Sequence, residues 1–290
     1  MPYLSNAPSS GSRRRPRQEG RAFGTVERSC GEEQRMTRPL FTGVGVALVT
    51  LFGDDGEVDA KATAEHAARL VELGMRAVVV AGSTGEAVSL TGEERTSLLT
   101  EVRQAVPTGT PVLAGTGAPS RRQAVALTRA AVDHGADGVL VLSPPGGVNL
   151  RGYYDAVAAA AGDVPVLAYN YPRVSPPGVP VDLLNELPVQ GLKDSSGDPG
   201  RLLDELTGFG GWLYVGSATL IAMAGPLGCA GAVLALANAE PERCAAAFAG
   251  TRDAQLELVE AHRAARRDFP HGLKGLVADR FGTSRAARLG

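Results

Sequence analysis

Short runs of small and β-branched apolar residues alternate along this chain with stretches whose apolar residues recur every three to four positions, and the alternation repeats eight times. The runs are GVGVALVTLF, AVVVAG, PVLAGTG, GVLVLSP, PVLAYNYP, VQGLKDSS, WLYVGS and AGAVLALAN, beginning near residues 43, 77, 111, 138, 165, 189, 212 and 230. Between them, segments such as AKATAEHAARLVELG, TGEERTSLLTEVRQAV and SRRQAVALTRAAVDHG read as helices. The second is opened by Thr91 with Glu94 in capping-box register, the third by Ser120 or Pro119. A helix between consecutive strands makes those strands parallel, joined by right-handed crossovers. Eight such units in 290 residues predict an α/β fold of the (β/α)₈ TIM-barrel type. An open doubly wound sheet would carry fewer strands and a Gly-rich turn after the first, whereas LFGDDGEVD here has no G-x-G-x-x-G. From RDAQLELVEAHRAARRDF onward the pattern stays helical. The predicted division is a tail over 1–37, the barrel over 38–250 and C-terminal helices over 251–290.

Residues 1–37 are rich in Ser, Gly, Pro and Arg without periodicity, a composition that cannot offset its ordering entropy, so a disordered tail is expected. Its cluster Arg13, Arg14, Arg15 and Arg17 reads as a solvated run, and Met36, just before the first strand, is a plausible alternative start. The tail lacks the apolar run of a secretory signal. Thr207–Ala239 is long and uncharged, yet Pro226 and its glycines divide it into strand, short helix and strand, so no membrane span is expected. A net charge of -2 argues against nucleic acid as a partner and leaves small molecules as the expected ligands. Cys30, Cys229 and Cys244 have no C-x-x-C spacing and the four histidines no H-x-x-x-H pair, so neither disulfides nor a metal is signalled and a reducing cytoplasm is expected.

The sixth run places Lys193 in phase with Val189 and Gly191, pointing into the barrel near the strand's C-terminal end, where chemistry sits in this architecture. An ammonium there has little water, so its pKa should fall by ~2 to 3 from about 10.4. A partly neutral amine can attack a carbonyl and form a Schiff base. Alternatively, Lys193 pairs with Asp194 or another barrel carboxylate. After the second run, AGSTGEAVSL offers glycines for close backbone approach and the hydroxyls of Ser83 and Thr84 for a carboxylate or phosphate, although such a turn is often only a turn. At the end of the fifth, Tyr169 shares the phase of Leu167 and Tyr171, a phenol suited either to proton transfer at the barrel mouth or to rim packing.

In this order, GSTGE, YNYP and GLKDSSGD give the chain a resemblance, over roughly residues 40 to 285, to the dihydrodipicolinate synthase/N-acetylneuraminate lyase family of class I aldolases. The resemblance implies a TIM barrel with C-terminal helices, commonly a homotetramer, and no metal or organic cofactor. It implies that Lys193 is the Schiff-base lysine for pyruvate and Tyr169 the proton-shuttling phenol. Ser83 and Thr84 would hold the pyruvate carboxylate, and the backbone carbonyl of Val233 in GAVLALAN would line the pocket.

Two departures set the chain apart from the lysine-pathway synthases it resembles. Where those carry a paired-tyrosine motif after strand four, whose second phenol joins the proton relay across a subunit interface, this chain has LSPPGGVN with Pro145 and Gly146. Where those have an arginine two residues past the proline of the YNYP segment, this chain has Val174, with Arg173 one residue early. YNYP and VGSATLIA look more like the family's sugar-acid and hydroxy-oxoglutarate aldolases. The expectation is therefore a pyruvate aldolase acting on a 2-oxo-3-deoxy sugar acid or 4-hydroxy-2-oxoglutarate. The alternatives are a lysine-pathway synthase, an oxo-acid-binding protein without turnover, and a phosphate-binding barrel isomerase, for which VGSATL and LANAEP provide no Gly-rich basic loop.

Overall fold

The structure is a computed structural model that describes residues 38–147 and 149–289. The expected tail at 1–37, with its arginine cluster, Cys30 and Met36, lies outside the described residues. Strands β1 (Gly43–Ala47), β2 (Val78–Val80), β3 (Val112–Gly115), β4 (Gly138–Leu142), β5 (Val166–Asn170), β6 (Gly191–Asp194), β7 (Trp212–Val215) and β8 (Gly231–Leu234) form a closed barrel in chain order. Every neighbouring pair is parallel, including β8 with β1. Helices α1 (Ala60–Glu72), α2 (Gly92–Ala105), α3 (Arg121–Asp133), α4 (Leu150–Ala161), α5 (Pro199–Gly208), α6 (Ile221–Ala224) and α7 (Pro241–Phe248) follow the strands, except that β5 is followed by a single 3₁₀ turn at Leu184–Glu186. Two further helices, α8 (Arg252–Arg267) and α9 (His271–Phe281), complete the chain's predicted helical end.

The apolar runs are nearly continuous because both faces of each strand are covered. Outward residues such as Val78, Val139, Leu192 and Leu213 pack with the helices in the larger core, whereas Ala47, Val79, Leu140, Leu167, Tyr169, Tyr214 and Val233 fill the barrel itself. Phe41 stacks on Tyr214, 4.6 Å between ring centroids, and its carbonyl accepts from the Tyr214 hydroxyl at 3.0 Å. The capping box is present at α2: Glu94 N donates to Thr91 Oγ1 and Thr91 N to Glu94 Oε2. A side-chain cap of this kind stabilises a helix by roughly 0.5–2 kcal/mol. Ser120, not Pro119, caps α3.

The strands are shorter than their apolar runs, for local reasons. At the end of β2, Ala81 adopts a left-handed φ of 50°, which ends the strand and turns the chain into GSTGE. Past β8, LALAN tightens into a 3₁₀ turn at Leu236–Asn238, so that Asn238 accepts from Val49 N at 3.0 Å and donates to Ala47 O at 2.7 Å, tying the last strand's loop to the first. Val189 does not share the inner face with Lys193: it precedes β6 and packs against the outer core. The uncharged stretch resolves into β7, the four-residue α6 and β8, and among the described residues no helix is long and apolar enough to cross a membrane.

Candidate active site

At the C-terminal ends of the strands lies a cavity of about 510 Å³, and the five residues singled out from sequence, Ser83, Thr84, Tyr169, Lys193 and Val233, all line it. They arrive from four different strands: the first two follow β2, and the others lie on β5, β6 and β8. Lys193 sits between Tyr169 and Tyr214 in strand register. Its side chain is buried and its Nζ lies 4.3 Å from the centre of the Tyr169 ring. Burial, with no carboxylate to oppose it, brings the Lys193 pKa down to about 7.

The alternative partner for the lysine is engaged elsewhere. Asp194 Oδ1 accepts from Asn170 Nδ2 at 2.5 Å and from Arg201 Nε at 3.2 Å, while Oδ2 accepts from the Ser196 backbone and hydroxyl. Strand alternation aims consecutive residues to opposite faces, so Asp194 points into the surrounding layer while Lys193 points into the barrel. Room for the lysine comes from Gly216, where a Cβ would lie 3.0 Å from Lys193 Cε and collide with Ser195 Oγ.

Burial raises the pKa of the Tyr169 phenol, and hydrogen bonds with Ser195 and Ser83 pull against that rise. Ser195 was not singled out from the sequence, although its position two residues beyond Lys193 puts it in the same phase. Tyr171, just past β5, stacks on Tyr169 at 6.0 Å between centroids. Both Arg173 and Val174 reach the cavity rim from the turn that follows. A further basic residue, Arg95 on α2, lines the cavity while bonding Gly115 O at 3.1 Å and Ala87 O.

The loop after β4 carries no phenol at Pro144–Gly147; Gly146 N instead donates to Pro176 O at 2.7 Å, and Ser175 Oγ to Ser143 O at 2.5 Å, binding that loop to the one after β5. The phenols lining the cavity are therefore Tyr169 and Tyr171. Among the described residues no aspartate or glutamate lines it, whereas Arg95, Arg173, Lys193, His262 and Arg266 do. Among the described residues no group of three or more His, Cys, Asp or Glu is arranged to hold a metal ion.

Comparison with known proteins gives a consistent picture. Residues 40–275 match the profile of the dihydrodipicolinate synthetase family. A 4-hydroxy-tetrahydrodipicolinate synthase of Salinibacter ruber is 37% identical over 203 residues, 64% of this chain and 66% of that protein. A probable mitochondrial 4-hydroxy-2-oxoglutarate aldolase of Emericella nidulans is 40% identical over 148 residues, 48% of each. The chain thus spans about two thirds or less of these relatives' lengths. Among solved structures, the chloride-inhibited dihydrodipicolinate synthase of Acinetobacter baumannii, complexed with pyruvate, superposes with a TM-score of 0.75 at 29% identity, covering 86% of this chain and 94% of that one.

Proposed function

The chain belongs to the dihydrodipicolinate synthetase family, and from that membership we propose that it is a carbon–carbon lyase, a class I aldolase that makes or cleaves the bond between pyruvate and an aldehyde. The observation that carries the reading is Lys193: an amine buried at the barrel mouth, with no carboxylate partner among the described residues, against the Tyr169 ring. The Acinetobacter relative's pyruvate complex supports the choice of oxo acid.

In this reading neutral Lys193 adds to the keto carbon of pyruvate, and Tyr169 passes a proton to the departing hydroxyl so that water leaves and an imine remains. The cationic nitrogen draws electrons from the adjacent methyl, which loses a proton to give the enamine. The enamine carbon attacks the aldehyde, and hydrolysis returns the lysine and a hydroxylated 2-oxo acid; cleavage is the same path reversed. Ser83 and Thr84 hold the carboxylate so that the keto carbon meets the amine in the right orientation, which contributes by positioning. Val233 lines the cavity, and in this reading its backbone carbonyl faces the substrate. With no second phenol after β4, Tyr171 is the group next to Tyr169 that extends the relay.

We assign the hydroxylated 2-oxo acid to a 2-oxo-3-deoxy sugar acid or 4-hydroxy-2-oxoglutarate, and the lining favours the second. A pocket rim with arginines and no carboxylate suits a substrate with two negative charges, one for the GSTGE loop and one for Arg173. The similarity to the Emericella aldolase supports the same choice. A cytoplasmic homo-oligomer, tetramer or dimer, is part of this proposal, and the mass of the protein in solution checks the assembly. Sodium borohydride with pyruvate tests the whole: intact mass should show a reduced pyruvyl adduct on the wild type and none on Lys193→Ala. A folded wild type without the adduct overturns the reading.

A further inference from the structure

We infer that Lys274 and Arg288, far from the reacting atoms in sequence and outside the barrel, are positioning residues for the proposed carboxylate site: with the segment after α9 they clamp Glu86, the hub of the GSTGE loop. This rests on the assignment of that loop to the pyruvate carboxylate. The loop needs such a clamp because it is bent at both ends into a conformation that L-residues disfavour, with φ of 50° at Ala81 and 56° at Glu86.

Glu86 and Lys274 are both fully buried, and Lys274 Nζ lies 2.5 Å from Glu86 Oε1. The other oxygen, Oε2, accepts two backbone N–H bonds, from Arg288 and Leu289, each at 2.8 Å. Lys274 Nζ also donates to Ala286 O at 2.6 Å, so a single ammonium joins the loop to the strap that crosses it. Arg288 fastens the strap with a fork onto Glu94, 3.0 and 2.6 Å, and with bonds to Gly56 O at 2.7 Å and Ser89 O at 3.1 Å. Its guanidinium and the Lys274 ammonium both lie over the ring of Phe52, at 4.8 and 4.3 Å.

From Glu86 the connection to the reacting groups is short. Glu86 N donates to Ser83 O at 3.2 Å, and Ser83 lines the cavity together with Tyr169. Leu289, the next residue of the strap, itself lines the cavity. Removing the clamp leaves Lys193 untouched and frees the loop, so the cost falls on holding the carboxylate rather than on forming the imine.

Arg288→Ala, chosen because Arg288 lies near the surface, tests this by two routes. In borohydride trapping the pyruvate concentration at half-maximal rate should rise about tenfold, with the saturated rate within about twofold of wild type, the pattern of lost ground-state binding. Arg288→Lys should recover part of the loss. Independently of any substrate, the hydrogen-bonded amides of Glu86, Ala87, Ser89 and Leu90 should exchange with deuterium about tenfold faster, while those of α1 do not change. A melting temperature that falls with pyruvate dependence and loop exchange unchanged would make the segment merely structural and overturn the inference. If the wild type traps no pyruvate, the proposed function fails alone, and the exchange measurement still decides the clamp.

Discussion

Tyr169 and Lys193 are register partners on adjacent strands, and the ammonium of one lies 4.3 Å from the ring centre of the other. In the proposed mechanism the phenol can therefore pass a proton to the hydroxyl on the carbon that the amine attacks without either side chain leaving its strand. Tyr169→Phe keeps the ring and its packing and removes only the hydroxyl, so the fold should persist while pyruvate release slows by roughly 10² to 10⁴. Steady-state cleavage kinetics check this. An unchanged rate would transfer the role to Tyr171.

The same burial sets a pH dependence. Only the neutral amine attacks, and the Lys193 pKa is lowered to about 7, so imine trapping should climb with pH and level off just above 7. An ordinary lysine would keep climbing by a factor of ten per unit towards ~10.4. Trapping rates at saturating pyruvate between pH 5 and 10 distinguish the two profiles; continued climbing beyond pH 9 would contradict the buried, unpaired state.

Much of this architecture can be read along the chain because its determinants are local. Strand alternation puts Lys193 inward and Asp194 outward from a four-residue pattern, and the capping box at Thr91 and Glu94 needs only a three-residue spacing. Extending that alternation back past the start of β6 puts Val189 on the inner face, but there it no longer holds. What could not be read are pairings across the whole chain. Glu86 meets Arg288 over 202 positions and Asn238 meets Ala47 over 191; neither has a periodicity to announce it. The five site residues were legible as separate strand ends, but their gathering around one cavity depends on barrel closure.

Behind β6, Glu205 is fully buried, and burial together with the charge of Asp194 pushes its pKa up to about 8 against the pull of Arg201, whose Nε lies 2.7 Å away. The folded state therefore holds this proton more tightly than the unfolded chain. Its contribution to stability is fully present below the ordinary carboxyl range and is lost as pH rises through about 8. The loss approaches about 1.4 kcal/mol per pH unit between those limits. Glu205→Gln mimics the protonated side chain, so its melting temperature should lack this decline and exceed that of the wild type at pH 9. Equal pH profiles for the two proteins would show that the carboxylate is accommodated without penalty.

The choice of second substrate turns on Arg173. Condensation with aspartate semialdehyde and cleavage of 4-hydroxy-2-oxoglutarate both place a second carboxylate in the cavity, but the synthases this chain resembles grip it with an arginine at the position held here by Val174. Arg173 lines the same cavity from one residue earlier in the turn, and in the proposed reading it supplies that grip in shifted form, at a different distance from the reacting carbon. Arg173→Ala should lower kcat/KM for 4-hydroxy-2-oxoglutarate by about 10- to 100-fold, the worth of a charged hydrogen-bonded pair. The yield of trapped pyruvate should not change, because the proposal assigns that carboxylate to Ser83 and Thr84 rather than to Arg173. A 2-oxo-3-deoxy sugar acid has no distal carboxylate, and its cleavage should be indifferent to the substitution. Comparing pyruvate release from these two acids with pyruvate consumption beside aspartate semialdehyde ranks all three. If the semialdehyde is preferred by tenfold or more, about 1.4 kcal/mol of transition-state stabilisation, the shifted arginine serves the lysine-pathway reaction and the assignment to oxo-acid cleavage is wrong.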